Sequence, residues 1–540
     1  MGVDLVLHNG AIFSPERPSG RPEPLGVACA GERIVAVGPD RDVLAMAGPG
    51  ARRVDLRGRL VVPGFNDAHI HFTDGGFSLL QVDARGVRSE EELAARAVER
   101  ARAAGPGRWV TGRGWDQHLF GGGRWPTRAA LDRLLPDTPV LLRRHCGHAG
   151  LASGAALRAA GIGRETPDPP GGRIGRDPAT GEPDGLVYET AVERVMAAVP
   201  PPSREERLAG LRTVSARARA AGLTSVQDER GDLDLYLELD AAGELTARVS
   251  VWARILTPLD ELEAWRASYP AGHPRLRPGL LKGYLDGSLG ARTALFHEPY
   301  ADAPDTCGVA VLDPADVVAR VVAADARGFQ VGLHAIGDRA CTTALDAFAA
   351  ARARNGPRDA RHRIEHAQNL RPADLARFRA LGAVASMQPS HCTGDIAFAA
   401  ARLGPERSRG AYAWRSLLAA GAALAFGSDF PIETLDPRVG LYAAVTRLPL
   451  DGSGAPFVPA ERLTLASAID LHTRGAAHAE FAEAEKGTLE PGKLADLVVL
   501  AEDIFAASAA DPRRLLDIPV DLTIVGGRVV HHRLGGTPNP

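Results

Sequence analysis

The sequence predicts an α/β protein: a (β/α)8 TIM barrel, a composite β-sandwich domain formed by both chain ends, and an insertion after barrel strand 1. Three observations lead there. Through the middle of the chain, short apolar runs alternate with helical patterns rich in Ala, Leu, Arg and Glu, as in a parallel sheet covered by helices. Eight such runs occur, and after the second they are spaced by roughly 25 to 50 residues, room for one βα unit each. Both chain ends carry short alternating runs bounded by Gly, Asp and Pro, which read as strands of a small sandwich.

At the N-terminal end these runs are V-D-L-V-L-H-N-G-A-I-F from Val3, R-I-V-A-V-G from Arg33 and R-R-V-D-L-R-G-R-L-V-V-P-G from Arg52. Their counterparts are A-D-L-V-V-L at 495–500 and V-D-L-T-I-V-G-G-R-V-V-H at 520–531. One domain made of 1–62 plus 486–540 is the economical arrangement, with the barrel occupying 63–485. The barrel runs lie at 61–72, 223–228, 248–254, 280–287, 329–337, 362–368, 383–389 and 424–430. The gap between the first two exceeds one βα unit. We assign about 83–200 to an insertion with helices and one strand candidate, P-V-L-L-R-R-H from Pro139.

Composition narrows the function classes. Of 540 residues 45% are hydrophobic and 24% charged, and the net charge is −3 with no long run of one sign. That argues against nucleic acid and anionic membranes as partners. No stretch reaches about 18 apolar residues and the start lacks a basic leader region, so a soluble cytoplasmic protein is expected. The five cysteines form no C-x-x-C pair, which leaves no disulfide framework or structural zinc module to propose. Only Lys282, Lys486 and Lys493 break the preference for arginine among 63 basic residues.

His69 and His71 form an H-x-H on the first barrel run, where strand alternation puts both imidazoles on one face. His334, His366 and Asp429 fall near the C-terminal ends of the fifth, sixth and eighth runs, and in a barrel those ends share the face that carries the active site. Lys282 lies in the fourth. A neutral lysine amine, favoured by burial, takes up carbon dioxide to give a carbamate whose oxygens bridge two metals, chemistry closed to arginine. Each residue alone has a plain structural role available, as a packed histidine, a turn aspartate or an ion-paired lysine. Six on five strands in this order point to a metal site.

The sequence resembles the amidohydrolase superfamily, and within it the amidohydrolase-3 family that includes N-substituted formamide deformylase-like proteins. The resemblance rests on P-G-F-N-D-A-H-I-H (63–71), G-R-G-W-D-Q (112–117), K-G-Y-L-D-G-S-L-G-A-R-T-A (282–294), H-A-I-G-D (334–338), R-I-E-H-A (363–367), G-S-D-F-P (427–431) and G-T-L-E-P-G-K-L-A-D-L-V-V-L (487–500). It implies that His69 and His71 bind one metal with Asp429, that His334 and His366 bind a second, and that carboxylated Lys282 bridges them. Two positions depart from the family pattern. Asn66 replaces a hydrophobic residue, a change expected to affect packing only, and Cys146 stands where the insertion usually has an acidic residue in R-x-D-G-H.

The resemblance implies a hydrolase of carbon–nitrogen bonds other than peptide bonds, acting on an exocyclic amide such as an N-substituted formamide by attack of metal-bound hydroxide. Opening of a cyclic amide or deamination of a heterocycle is the alternative, and a catalytically silent scaffold is a third reading. Asp429 would serve as general base and acid. Two zinc ions per chain are the first expectation, with manganese and iron as alternatives, and carbon dioxide enters as the lysine carbamate. Asp67 is expected to support the ligands or cap its loop. For substrate contacts the candidates are Trp115, Asp116, Arg144 and His148 on the insertion and Arg292 after the fourth strand; packing, loop hydrogen bonding or solvation is the plainer role for each. The expected partner is a small-molecule amide, and large barrels of this kind often form homo-oligomers. A serine hydrolase is disfavoured because Asp286 occupies the first glycine of the elbow in D-G-S-L-G, and H-E-P-Y-A lacks the second histidine of a zincin.

Overall fold

The computed structural model describes residues 2–17, 19–121 and 123–533. The chain divides into two compact units: Met1–Thr73 with Val214–Pro540, and Asp74–Thr213.

The first unit holds the barrel. Its strands are Phe65–Ile70, Leu223–Asp228, Arg248–Arg254, Leu276–Tyr284, Val331–Ala335, Arg363–His366, Val384–Met387 and Ala423–Phe426. They line up in sequence order, all parallel, and fall on the eight runs expected. The runs read as apolar because helices cover the outside while side chains fill the inside, so that Phe65–Ile70, Leu223–Asp228 and Val384–Met387 are buried throughout. The covering helices start where the sequence supplies a stop for the strand and a cap for the helix. Asp313 accepts from Ala315 N ahead of Pro314–Ala326, which has proline in its first turn.

Past the ends of the first and eighth strands the backbone closes the ring: Asp429 N donates to His69 O at 2.7 Å and His71 N to Phe430 O at 2.9 Å. Gly427 makes this approach sterically feasible. A Cβ there would lie 2.5 Å from His69 N and 2.8 Å from Asp67 Oδ1.

The chain ends form one eight-stranded sheet. Its order is Arg528–His532, Val520–Val525, Leu497–Leu500, Leu60–Pro63, Val3–Ile12, Glu23–Ala30, Arg33–Gly38, with Ala47–Asp55 also paired to Val3–Ile12. The N- and C-terminal sets join where Leu60–Pro63 runs antiparallel to Leu497–Leu500, Val61 opposite Val499. The two sets thus share one continuous hydrogen-bonded sheet, as one composite domain of both chain ends requires. Leu5, Leu7, Val27, Val61, Leu497, Val499 and Ile524 make its core.

The second unit begins at Asp74 and ends at Thr213, wider on both sides than the 83–200 read from the sequence. It contains a six-stranded sheet. Only Val140–Arg144 was legible as a strand. Gly172–Arg176 and Pro183–Glu189 escaped because their runs are short and interrupted by glycine and charge. Among the described residues no helix is long and apolar enough to cross a membrane.

Gly427→Ala is expected to lower stability by about 1–3 kcal/mol through overpacking at the closure. It should also reduce metal retention, because His69 and Asp429 flank the clash. A thermal melt and elemental analysis of the same preparation check both.

Candidate metal centre

Six side chains singled out in the sequence converge at the C-terminal end of the barrel. His69 arrives on the first strand and His71 just past its end, Lys282 on the fourth, His334 on the fifth, His366 on the sixth and Asp429 just after the eighth. His366 and Asp429 both have left-handed backbones, φ 77° and 57°. Non-glycine residues rarely adopt that conformation, and it concentrates at functional sites.

Three of the imidazoles are aimed by outer acceptors. His69 Nδ1 lies 2.7 Å from Glu365 Oε2, His334 Nδ1 3.0 Å from Asp286 Oδ1 and His366 Nδ1 2.8 Å from Gln388 Oε1. With Nδ1–H donated outward, each ring keeps an Nε2 lone pair for the centre, the arrangement metal-ligating histidines show. The acceptors are fixed in turn. Glu365 pairs with the fully buried Arg363 at 2.8 Å. Asp286 also accepts from the backbone N–H groups of Leu295, Ile336 and Gly337.

Glu229, one residue beyond the second strand, completes the cluster. Its Oε2 lies 3.6 Å from His69 Nε2, 3.7 Å from His71 Nε2 and 2.7 Å from Lys282 Nζ, while Tyr284 donates its hydroxyl to Oε1. His69, His366 and Asp429 each offer a ligand atom within 4.8 Å of the others, as do His69, His71 and Glu229.

Hydrogen bonding does not account for this packing. Asp429 Oδ1 stands 3.1 Å from His71 Nε2 and 3.5 Å from His69 Nε2, yet it is buried and accepts no hydrogen bond. Nitrogen and carboxylate atoms that approach this closely without facing one another fit ligands of a shared divalent cation. Burial drives the pKa values of His69 and His366 well below the ordinary histidine value, which keeps them neutral, as ligation requires. Burial alone would raise Asp429, but His71, His69 and His391 outweigh it and hold the carboxyl at about 2. Glu229 likewise sits at about 2, burial being outweighed by Lys282, His69 and His71.

The amidohydrolase family profile matches residues 52–531. The chain belongs to the amidohydrolase family. It is 36% identical to Protein LONG AFTER FAR-RED 3 of Arabidopsis thaliana over 98% of this chain and 92% of that one. It is 30% identical to N-substituted formamide deformylase of Arthrobacter pascens over 94% and 95%. Among solved structures it resembles an uncharacterised metal-dependent hydrolase from Pyrococcus furiosus, with TM-score 0.77, 32% identity and coverage of 93% of this chain and 99% of that one. This amidohydrolase is a metal-dependent hydrolase acting on carbon–nitrogen bonds.

The other sequence candidates of the amidohydrolase have partners of their own. Trp115 is fully buried in the core of the second unit, its indole N–H donating to Leu142 O at 2.7 Å. Asp116 caps the turn Gln117–Leu119 and pairs with Arg144 at 3.1 Å. His148 is exposed and 2.9 Å from Glu189, and Cys146 is exposed. Arg292, a candidate substrate contact, is already held by both oxygens of Asp302, at 3.1 and 2.9 Å. Asn66 does more than pack: buried, it donates to Glu480 Oε1 at 2.7 Å, joining the first strand to a buried Glu480–Lys486 pair. Asp67 accepts from Ser428 N at 2.9 Å and His69 N at 3.2 Å, so it pins the closure rather than an imidazole. Burial lifts its carboxyl to about 7 against those hydrogen bonds.

Two residues at the centre of the amidohydrolase were not found from the sequence. Glu229 lies one residue past the apolar run that ends at Asp228, and the acidic pair D-E at a strand's C-terminal end is its signal in the sequence. His391, in Q-P-S-H after the seventh strand, lies 3.5 Å from Asp429 Oδ2, stacks on His366 at 5.7 Å and leaves Nε2 buried without a partner.

Glu365→Gln should weaken metal affinity about 10- to 100-fold, because it loosens the acceptor that fixes the His69 tautomer and leaves Arg363 short of a counter-charge. Chelator competition measures this, and unchanged affinity would show that His69 does not depend on Glu365.

Proposed function

We propose that this amidohydrolase hydrolyses an exocyclic amide, an N-substituted formamide in the first instance, releasing the carboxylic acid and the amine. The reading rests on the converged cluster of imidazoles and carboxylates. Its substrate rests on the relative from Arthrobacter pascens, whose name gives that activity and whose length the match nearly spans.

The proposed ligands are His69, His71 and Asp429 for one ion and His334 and His366 for a second, with Lys282 as a carbamate supplying the bridging oxygens. A bound divalent metal, with zinc the first choice, supplies a Lewis acid for the carbonyl and acidifies a water. Asp429, anionic at neutral pH, takes the proton of the attacking water and hands it to the leaving nitrogen. His69, His334 and His366 hold their orientation through Glu365, Asp286 and Gln388. The 2.7 Å contact between Lys282 and Glu229 favours a second reading, in which Glu229 itself is the anionic oxygen ligand and Lys282 stays an ammonium that balances it.

Lys282→Arg separates the two. It keeps the positive charge beside Glu229 but cannot take up carbon dioxide, so under the carbamate reading metal content falls from about two ions per chain and turnover collapses. Under the second reading metal content holds in Lys282→Arg and falls in Glu229→Gln. Intact-protein mass in bicarbonate reads the carbamate directly.

Asp429→Asn should lower turnover about 100- to 10,000-fold. N-alkylformamides assayed against lactams and aminopurines test the substrate class, and turnover of ring substrates alone would overturn the formamide reading.

A further inference from the structure

Beside the metal centre lies a cavity of about 390 Å³ in which Lys282 and Tyr284 form one wall. The other walls are Leu256, Val311 and Leu312, with Arg254 and Arg230 also contributing. The two residues of the first wall both touch Glu229, so the cavity and the cluster share that wall. A second cavity of about 420 Å³ shares Leu256 and Leu312 and continues along Ile255, Leu259, Ala319 and Ala323; Asp316 and Arg320 are its charged members. Leu256 and Val311 are 52% and 53% exposed, large apolar side chains left half open to solvent. Apolar walls beside convergent polar groups are the usual form of a substrate pocket, and this volume lies within the range for small ligands.

The arginines at this mouth are not equivalent. Arg292 is consumed by Asp302, and Arg230 lies 3.5 Å from Glu229. Arg254 ends the third strand, in register with Lys282, and its side chain is exposed. Among the described residues no carboxylate lies within ion-pairing distance of it. A guanidinium held at the rim of an apolar pocket, with its fork free, matches a carboxylate.

We propose that this cavity receives the substituent on the substrate nitrogen, that the substituent is apolar along its length and anionic at its far end, and that Arg254 binds that anion. The substrate class is then a formamide, or other simple amide, of an aliphatic amine carrying a carboxylate. The inference deepens the function proposed above and rests on it for the identity of the scissile bond. It assigns the anion to Arg254 and not to Arg292, because Arg254 alone of the two keeps its donors available.

The test compares 6-formamidohexanoate with the neutral 6-formamidohexanamide. It is joined by calorimetric binding of the hydrolysis-inert 6-(methanesulfonamido)hexanoate and its carboxamide to the metal-loaded enzyme. The wild type should favour the carboxylate member of each pair about 10- to 100-fold, the range for one charge-assisted pair at a partly open site. In Arg254→Gln the ratio should fall to near one, and in Arg254→Lys it should be partly restored. A carboxylate caught by the metal instead would keep its preference in Arg254→Gln, which overturns the proposal, as does a wild type with no preference. Arg254-dependent binding of the inert carboxylate without turnover of any formamide supports the anion site and refutes the deformylase reading. Turnover of formamides with no charge preference does the reverse.

Discussion

Closure of the barrel between its eighth and first strands is the constraint on which the rest of the centre depends. His69 and Asp429 lie far apart in sequence, yet their main chains share a 2.7 Å hydrogen bond, and Asp67 ties Ser428 N to His69 N across the same seam. The ring closes only because position 427 has no Cβ. Once it is closed, the Asp429 carboxylate is delivered against two imidazoles of the first strand with no freedom to move off. Its left-handed backbone costs about 1–3 kcal/mol, and the seam's hydrogen bonds hold it in place.

Charge accounting at the centre then selects for a cation. Before any metal or carbon dioxide binds, Arg363 is balanced by Glu365 and the unmodified Lys282 by Glu229, each pair at short range and out of water. Asp429 faces only imidazoles: His69, His71 and His391, two of which already lean on other carboxylates. A buried carboxylate with no permanently charged cation beside it is costly to desolvate. A divalent ion among those rings removes the cost and lets Asp429, His71 and His69 accept the geometry they already have. The same reasoning explains why the outer acceptors of His69 and His334 are carboxylates. They raise the electron density of the rings that face the cation.

The sequence disclosed the barrel because its signal is redundant. Eight apolar runs at suitable spacing constrain one another, and helical patterns between them remove the main competing topologies. It disclosed the residues that converge for a related reason: strand alternation and the common direction of parallel strands bring His69, His71, His334 and His366 to one end of the barrel. What it hid depends on three-dimensional neighbours. Glu229 takes its role from lying across from Lys282 and Tyr284, which no local pattern encodes. Asp286 looked like a defect in a serine motif, and it turns out to be the group that aims His334 and ties down three backbone amides. Asn66 read as a conservative packing change because its partner Glu480 is 414 residues away. The second unit was least legible, since its strands are short, glycine-rich and bordered by charge.

Arginines show most clearly where letters stop and geometry begins. Arg144, Arg292 and Arg254 are equivalent in a sequence, each plausible at a pocket mouth. In the structure Arg144 and Arg292 spend their forks on Asp116 and Asp302, while Arg254 projects from a strand end whose register with Lys282 is set by the barrel ladder. A rigid strand end positions a specificity group more tightly than a loop does. The ladder that places Lys282 in the cluster therefore also places Arg254, the residue proposed to read the far end of a substrate. Reaction and selectivity share one scaffold, and only the side chains left unpaired by their neighbours remain available to a ligand.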